Sequence, residues 1–101
     1  MADADHLTLD VQHDEPGNRY VLRRAGEDIG ILEYRPVGDV LEVLEVRIFP
    51  GIRGEGLGGV LARDALLDVR EHGRKVHPSC WYLKSFIEGN PEFADLVADL
   101  P

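Results

Sequence analysis

The sequence predicts an α+β fold: an antiparallel four-stranded meander, a main helix, a fifth strand parallel to the fourth, and one or two C-terminal helices. Three observations predict it. The first half of the 101-residue chain alternates apolar and polar residues and is cut by tight turn signals. Residues 56–72 then switch to helical spacing. The short stretch Lys75-Val76-His77 follows that helix; strand–helix–strand connections within one sheet close right-handed, with the two strands parallel.

Each element has its own warrant. Residues 1–5 read as a frayed end, and Leu7-Thr8-Leu9-Asp10-Val11 alternates as a half-buried strand. Glu15-Pro16-Gly17-Asn18 is a turn, Tyr20-Val21-Leu22 begins a second strand, and Ala25-Gly26-Glu27-Asp28 is a hairpin turn. Ile29 to Tyr34 is a third strand; Pro36-Val37-Gly38-Asp39 turns into a fourth, Val40 to Ile48. In that fourth strand Leu41 and Val43 share one face, whereas Leu44, Val46 and Ile48 share the other parity. A side-chain period of two forbids this in a regular strand with one dry face. Either a β-bulge between Val43 and Leu44 restores both sets to the core, or the strand is buried on both faces. A bulge would also leave backbone groups free for an extended ligand.

The main helix, Gly56 to His72, carries Leu61, Ala62, Ala65, Leu66 and Val69 on one stripe, with Val60 and Leu67 as a second contact. Arg63, Asp64, Asp68, Arg70 and Glu71 are expected to face water, and Gly73 to stop the helix. The fifth strand ends at Pro78. Ser79 is positioned to cap a second helix from Cys80 to about Gly89, and Asn90-Pro91 restarts a short helix, Glu92 to Ala98, with Phe93, Leu96 and Val97 as its apolar contacts.

Composition bounds the function. A chain of 101 residues is expected to form a single domain over 1–101, and 44% hydrophobic content argues against disorder. A formal net charge of −8 disfavours nucleic acid and anionic membranes as partners. The acidity either serves solubility or attracts a cationic acceptor such as a lysine-bearing chain. No apolar run approaches the roughly 18 residues of a membrane span. The first residues, Met-Ala-Asp-Ala-Asp-His, carry no secretory signal, and a lone cysteine suits a reducing compartment, so a cytoplasmic location is expected. The four histidines, His6, His13, His72 and His77, show no ligand spacing, and no metal is expected.

The most informative stretch is Arg53-Gly54-Glu55-Gly56-Leu57-Gly58, between the fourth strand and the main helix. It places amides without bulky side chains at a helix N-terminus, where unpaired N–H groups and the helix dipole favour an anion such as a pyrophosphate. Gly54, Gly56 and Gly59 also satisfy G-x-G-x-x-G, but the next strand lacks the acidic residue a dinucleotide site requires, and the 42 residues after Gly59 are too few for a doubly wound sheet. A P-loop needs Gly-Lys-Ser/Thr, which Gly58-Gly59-Val60 does not supply. The remaining rival is a tight structural turn into a helix.

In context, the loop resembles the R-x-x-G-x-G/A motif of the GNAT acetyltransferase superfamily. The likeness extends to its small YjdJ-type branch through Ile48-Phe49-Pro50, Arg53 to Gly58, Pro78-Ser79-Cys80-Trp81-Tyr82 and Asn90-Pro91-Glu92-Phe93, covering roughly residues 16–98. The resemblance implies a minimal GNAT-like fold whose loop amides hold the pyrophosphate of acetyl-coenzyme A. It also implies transfer of an acetyl group to an amine, which must be neutral to attack. The acceptor would be an amine, conceivably a protein lysine or N-terminus. Relatives often carry His in the fourth strand, eight residues before the motif arginine; here that position is Glu45, a carboxylate of ordinary pKa ~4 and hence a weak base unless buried.

The candidate residues follow. Strand-four amides at Val46 or Ile48 are placed to face the thioester oxygen. The loop residues Arg53, Gly54, Glu55, Gly56, Leu57 and Gly58 form the cofactor cradle, with Arg53 either on phosphate or capping the loop, and Lys84 either on phosphate or in solvent. Cys80, at a helix start that lowers a thiol pKa, either carries the acetyl group, lines the site or packs. Tyr82 either donates a proton to the leaving thiolate or forms a core pair with Phe86, and Trp81 covers either the cofactor or the core. Two further readings stand beside the enzyme: a coenzyme A or acyl-coenzyme A binding module, and a scaffold using the fold for protein contacts. The acceptor's identity and the oligomeric state are not encoded in any pattern found.

Overall fold

The computed structural model describes residues 8–101. The frayed end expected at residues 1–5 and the start of the first strand at Leu7 lie outside the described residues. Strands β1 (Leu9–Asp14), β2 (Arg19–Arg24), β3 (Glu27–Val37), β4 (Val40–Ile48) and β5 (Lys75–Pro78) form one sheet in that spatial order. The first four are antiparallel and β5 runs parallel to β4. Helix α1 (Leu57–Glu71) provides the crossover; α2 (Trp81–Gly89) and a 3-10 turn (Pro91–Leu96) complete the chain. No helix among the described residues is long and apolar enough to cross a membrane.

All three helical elements meet the sheet in one apolar cluster. Leu22, Leu32, Leu41 and Val43 contribute from the strands, Leu61, Ala65 and Leu66 from α1, Leu83 and Ile87 from α2, and Phe93 from the 3-10 turn. Leu22, Leu61 and Leu83 have no exposed area, and full burial of such a side chain contributes roughly 1.5–3 kcal/mol. The α1 stripe read from the sequence is the buried stripe: Leu61, Ala62, Ala65, Leu66 and Val69. Tyr20 adds a polar tie, its hydroxyl donating to Asp68 Oδ2 at 2.6 Å and so linking β2 to α1.

The parity slip in β4 is a β-bulge. Tyr34 pairs with Val43 and Glu33 with Glu45, which leaves Leu44 as the extra residue. Leu41 and Val43 are buried before it, and Val46 and Ile48 return to the same apolar face after it. Leu44 itself is not restored to the core: it is 49% exposed, because the unpaired residue of a bulge is the one whose side chain the register no longer places.

Other expectations are corrected. β3 runs on through Pro36 to Val37, so the turn is reduced to Gly38 and Asp39. Pro36 is tolerated because β2 has already ended: Tyr34 N–H makes the last bond on that side, to Asn18 C=O, and the missing donor at Pro36 faces the same empty edge. The β2–β3 turn contracts to Ala25-Gly26, both with positive φ, so β3 starts at Glu27. On α1, Leu67 is 46% exposed rather than a second contact, and Asp68 is drawn to Tyr20 rather than left to water. The last helix is a 3-10 turn that stops at Leu96. Val97 leaves it to bridge Val76 in parallel, and Ala98 N–H bonds Val76 C=O, so Val97 covers the outer edge of β5 instead of packing inward.

The bulge assignment has a direct consequence in stability. Leu41→Ala, deleting a side chain 2% exposed, is expected to cost about 2–5 kcal/mol in urea unfolding, whereas Leu44→Ala should stay within about 0.5 kcal/mol. Comparable costs at the two positions would mean that Leu44 packs in the core.

Candidate functional site

β5 has four residues and β4 has nine, so the two strands cannot stay paired. Their pairing ends at Val43↔Pro78, closed by Ser79 N–H on Val43 C=O at 3.1 Å. Beyond the bulge, β4 is bonded only to β3. Phe49 N–H bonds Ile29 C=O, so Arg47 and Glu45, in phase with Phe49, also turn their backbone groups to β3. By alternation, the N–H and C=O of Val46 and Ile48 point to the opposite, open edge. An extended ligand with amide groups of its own can complete that edge.

The open edge runs into the start of α1. The chain turns at Phe49–Ile52, where Ile52 N–H returns to Phe49 C=O, and reaches α1 through Gly56 as N-cap. Gly56 has φ 72°, a left-handed conformation that a Cβ disfavours, and a methyl there would meet nothing within 4 Å. No side chain caps the helix. Val60 N–H is the first to find a helical acceptor, Gly56 C=O at 3.0 Å; the amides of Leu57, Gly58 and Gly59 precede it and form the positive end of the dipole.

Tyr82 closes the third side. A methyl on Gly58 would lie 2.8 Å from Tyr82 Oη, so glycine at 58 is what lets the phenol lie against the first turn of α1. Phe86, one turn on, approaches Gly59 less closely: a methyl there would make an ordinary contact at 3.6 Å. Val46, Ile48, Ile52, Gly54, Gly56, Leu57, Gly58 and Tyr82 together line a groove of about 460 Å³. The groove opens along the loop, although Leu57 folds over Gly54, where a methyl would lie 2.9 Å from Leu57 Cδ1. Burial, and after it the neighbouring Cys80, pushes the Tyr82 phenol above the usual tyrosine range.

The junction from β5 to α2 is fixed by a polar cluster. Ser79 does not cap α2, as its position suggested; its hydroxyl donates to Glu42 Oε2 at 2.7 Å, because Glu42 lies beside it across the β4–β5 pair. Arg35 donates to the other oxygen, Glu42 Oε1. The Ser79 hydroxyl first, and Arg35 second, hold the Glu42 carboxyl below its ordinary range. Cys80 takes the N-cap position of α2 with no side-chain cap, and its thiol is 8% exposed within the apolar cluster. Trp81 covers neither cofactor groove nor core: it is 78% exposed and touches the edge of Tyr82, with ring centroids 6.1 Å apart.

The remaining candidates divide by face and charge. Glu45 is 49% exposed and lies 3.4 Å from Arg47 Nε. It alternates with Val46, so it faces away from the sheet side that carries the groove. Arg53, Glu55 and Lys84 are exposed. Among the described residues, Arg53 and Lys84 are the cations whose side chains have neither an ion pair nor a hydrogen bond, while Arg19, Arg23, Arg35, Arg47, Arg63, Arg70, Arg74 and Lys75 are all engaged. Three contributors escape sequence reasoning. Arg24 donates to Arg53 C=O at 2.9 Å across 29 residues, and no local pattern announces it. Ile52 lines the groove, its signal being a lone apolar residue in a glycine-rich loop. Glu42 shows itself only as a charge between Leu41 and Val43.

The sequence profile of the GCN5-related N-acetyltransferase family matches residues 19–96. Protein NATD1 of Gallus gallus is 31% identical over 85 residues, spanning 82% of this chain and 77% of that protein. Protein NATD1 of Homo sapiens is 31% identical over 83 residues, spanning 80% and 74%. In fold, the chain resembles the solution structure of a GCN5-like protein from Staphylococcus aureus, with a TM-score of 0.67 over 93% of this chain and 92% of that one at 20% identity. The profile match over most of the length is what decides the matter: this chain belongs to the GCN5-related N-acetyltransferase family.

Proposed function

We propose that the protein is an acetyl-coenzyme A-dependent N-acetyltransferase acting on a primary amine. The observation that carries this reading is the meeting of the open β4 edge with the uncapped first turn of α1 beneath the Tyr82 hydroxyl. When bound, acetyl-coenzyme A supplies an activated acetyl thioester. The amides from Gly54 to Gly58 would hold its diphosphate, with Arg53 at the start of the loop and Lys84 on α2 as the uncommitted cations. Val46 and Ile48 would offer N–H and C=O groups to the extended arm, and one of their amides would face the thioester oxygen.

Tyr82 Oη would hold the proton that the departing sulfur needs; a phenol is protonated at neutral pH, and its upward shift extends that range to higher pH. Glu45 accepts the proton of the amine. Cys80 is 8% exposed and packs in the apolar cluster, outside the residues that line the groove, which favours packing over acetyl carriage. Glu45 also motivates a second reading, a coenzyme A binding module with little catalysis. It faces the other side of the sheet from Tyr82 and already pairs with Arg47.

Release of free thiol from acetyl-coenzyme A in the presence of amine acceptors tests the proposal. Tyr82→Phe should lower kcat by about 100-fold while leaving the Kd for coenzyme A within about threefold, since the ring remains. An unchanged kcat removes Tyr82 from the chemistry. Wild-type kcat should show no basic-limb loss up to pH ~10, because a proton donor whose pKa is raised stays protonated beyond the usual tyrosine value. No thiol release with any acceptor, alongside tight coenzyme A binding, would select the binding module.

Cys80 is tested separately by intact mass after incubation with acetyl-coenzyme A and rapid acid quench. The expected spectrum shows no acetyl adduct, and Cys80→Ala keeps turnover within about threefold of wild type. An adduct lost in Cys80→Ala, together with loss of turnover, would make the thiol a covalent carrier.

A further inference from the structure

The far side of the site has features that cofactor binding does not use. Trp81 is 78% exposed and Leu44 is 49% exposed, the most exposed large apolar side chains among the described residues. The fold brings both to the place where β4 and β5 part: the Ser79–Val43 bond leaves Leu44 one residue beyond one end and Trp81 two beyond the other. Glu45 follows Leu44 in the chain and stands directly opposite Glu33 on β3. Like charges in direct register destabilise a sheet, and here Arg47 relieves the pair only from 3.4 Å through Glu45. Glu33 has neither an ion pair nor a side-chain hydrogen bond, although most other acidic side chains on the strands have a cation.

We propose that Trp81, Leu44 and the Glu33–Glu45 pair form a docking surface for an extended segment of another protein that carries a lysine next to apolar residues. The indole and Leu44 would take the apolar neighbours, and the paired carboxylates the ammonium. Exposed apolar side chains where β4 and β5 part, with an acidic pair next to Leu44 at the head of an open strand edge, fit a cationic chain better than an isolated small amine. This rests on the acetyltransferase reading only for the fate of the lysine: the surface adjoins the unpaired β4 edge, so the docked amine would reach the thioester from the face opposite the groove.

Trp81 is the only tryptophan in the chain, so its emission reports the surface without any turnover. The probe is a short capped peptide with a central lysine flanked by leucines. Its titration should give a saturable blue shift as the indole leaves water. The shift should be lost with glutamate in place of the lysine. Leu44→Ala and Glu33→Lys, both at exposed sites, should each weaken the peptide by about tenfold, with coenzyme A binding unchanged by calorimetry. Equal shifts with the lysine and glutamate peptides would overturn the proposal, as would no shift with either. A dimer in sedimentation whose Trp81 emission is already blue-shifted without peptide would also overturn it, making the surface a contact between copies. Peptide docking without coenzyme A binding would support the surface while sinking the transferase reading.

Discussion

The length of β5 is the constraint on which the site depends. With four residues against nine, it can satisfy only the first half of the edge of β4. An unpaired strand edge is normally a liability, exposed to any passing chain. Here the edge is short, it begins at a bulge, and it ends in a loop that turns away through Pro50. What remains is a limited set of backbone groups, at Val46 and Ile48, held in place by full pairing to β3 on the other side.

The other parts of the site are set by how the chain leaves that edge. A left-handed Gly56 lets the loop deliver α1 with its first amides uncapped. The absence of a side chain at Gly58 lets α2 approach closely enough for Tyr82 to lie over them. The angle of α2 depends in turn on Ser79, whose bond to Glu42 replaces a helix cap and fixes the exit from β5. Backbone polarity, glycine placement and one exposed polar cluster at the sheet edge thus combine into a groove without charged groups lining it. Its cations, Arg53 and Lys84, stay outside and uncommitted, whereas the rest of the arginines are spent on structure.

Much of this was legible in the sequence, for physical reasons. The order and direction of the strands followed from period-two patterning, short turns and the handedness of crossovers. The bulge was legible because a parity change has few structural solutions, but the fate of Leu44 was not, since pattern alone does not say which residue is expelled. The sequence pattern marks Gly56 and Gly58 but not their separate structural reasons, a positive φ at Gly56 and contact with Tyr82 at Gly58. Ser79 was misread as a cap because local sequence cannot show a carboxylate arriving from a strand 37 residues earlier. The final helix was overextended for a similar reason: Val97 answers to the edge of β5 and not to its own helical periodicity.

Amide chemical shifts on titration with coenzyme A test the central claim most directly. The account predicts that the largest changes fall on the backbone amides of Gly54, Gly56, Leu57 and Gly58, followed by Val46 and Ile48, and that pantetheine, which lacks the diphosphate, leaves the glycine amides nearly unmoved. Saturable binding whose shifts cluster elsewhere, or no shifts at high micromolar coenzyme A, would contradict it.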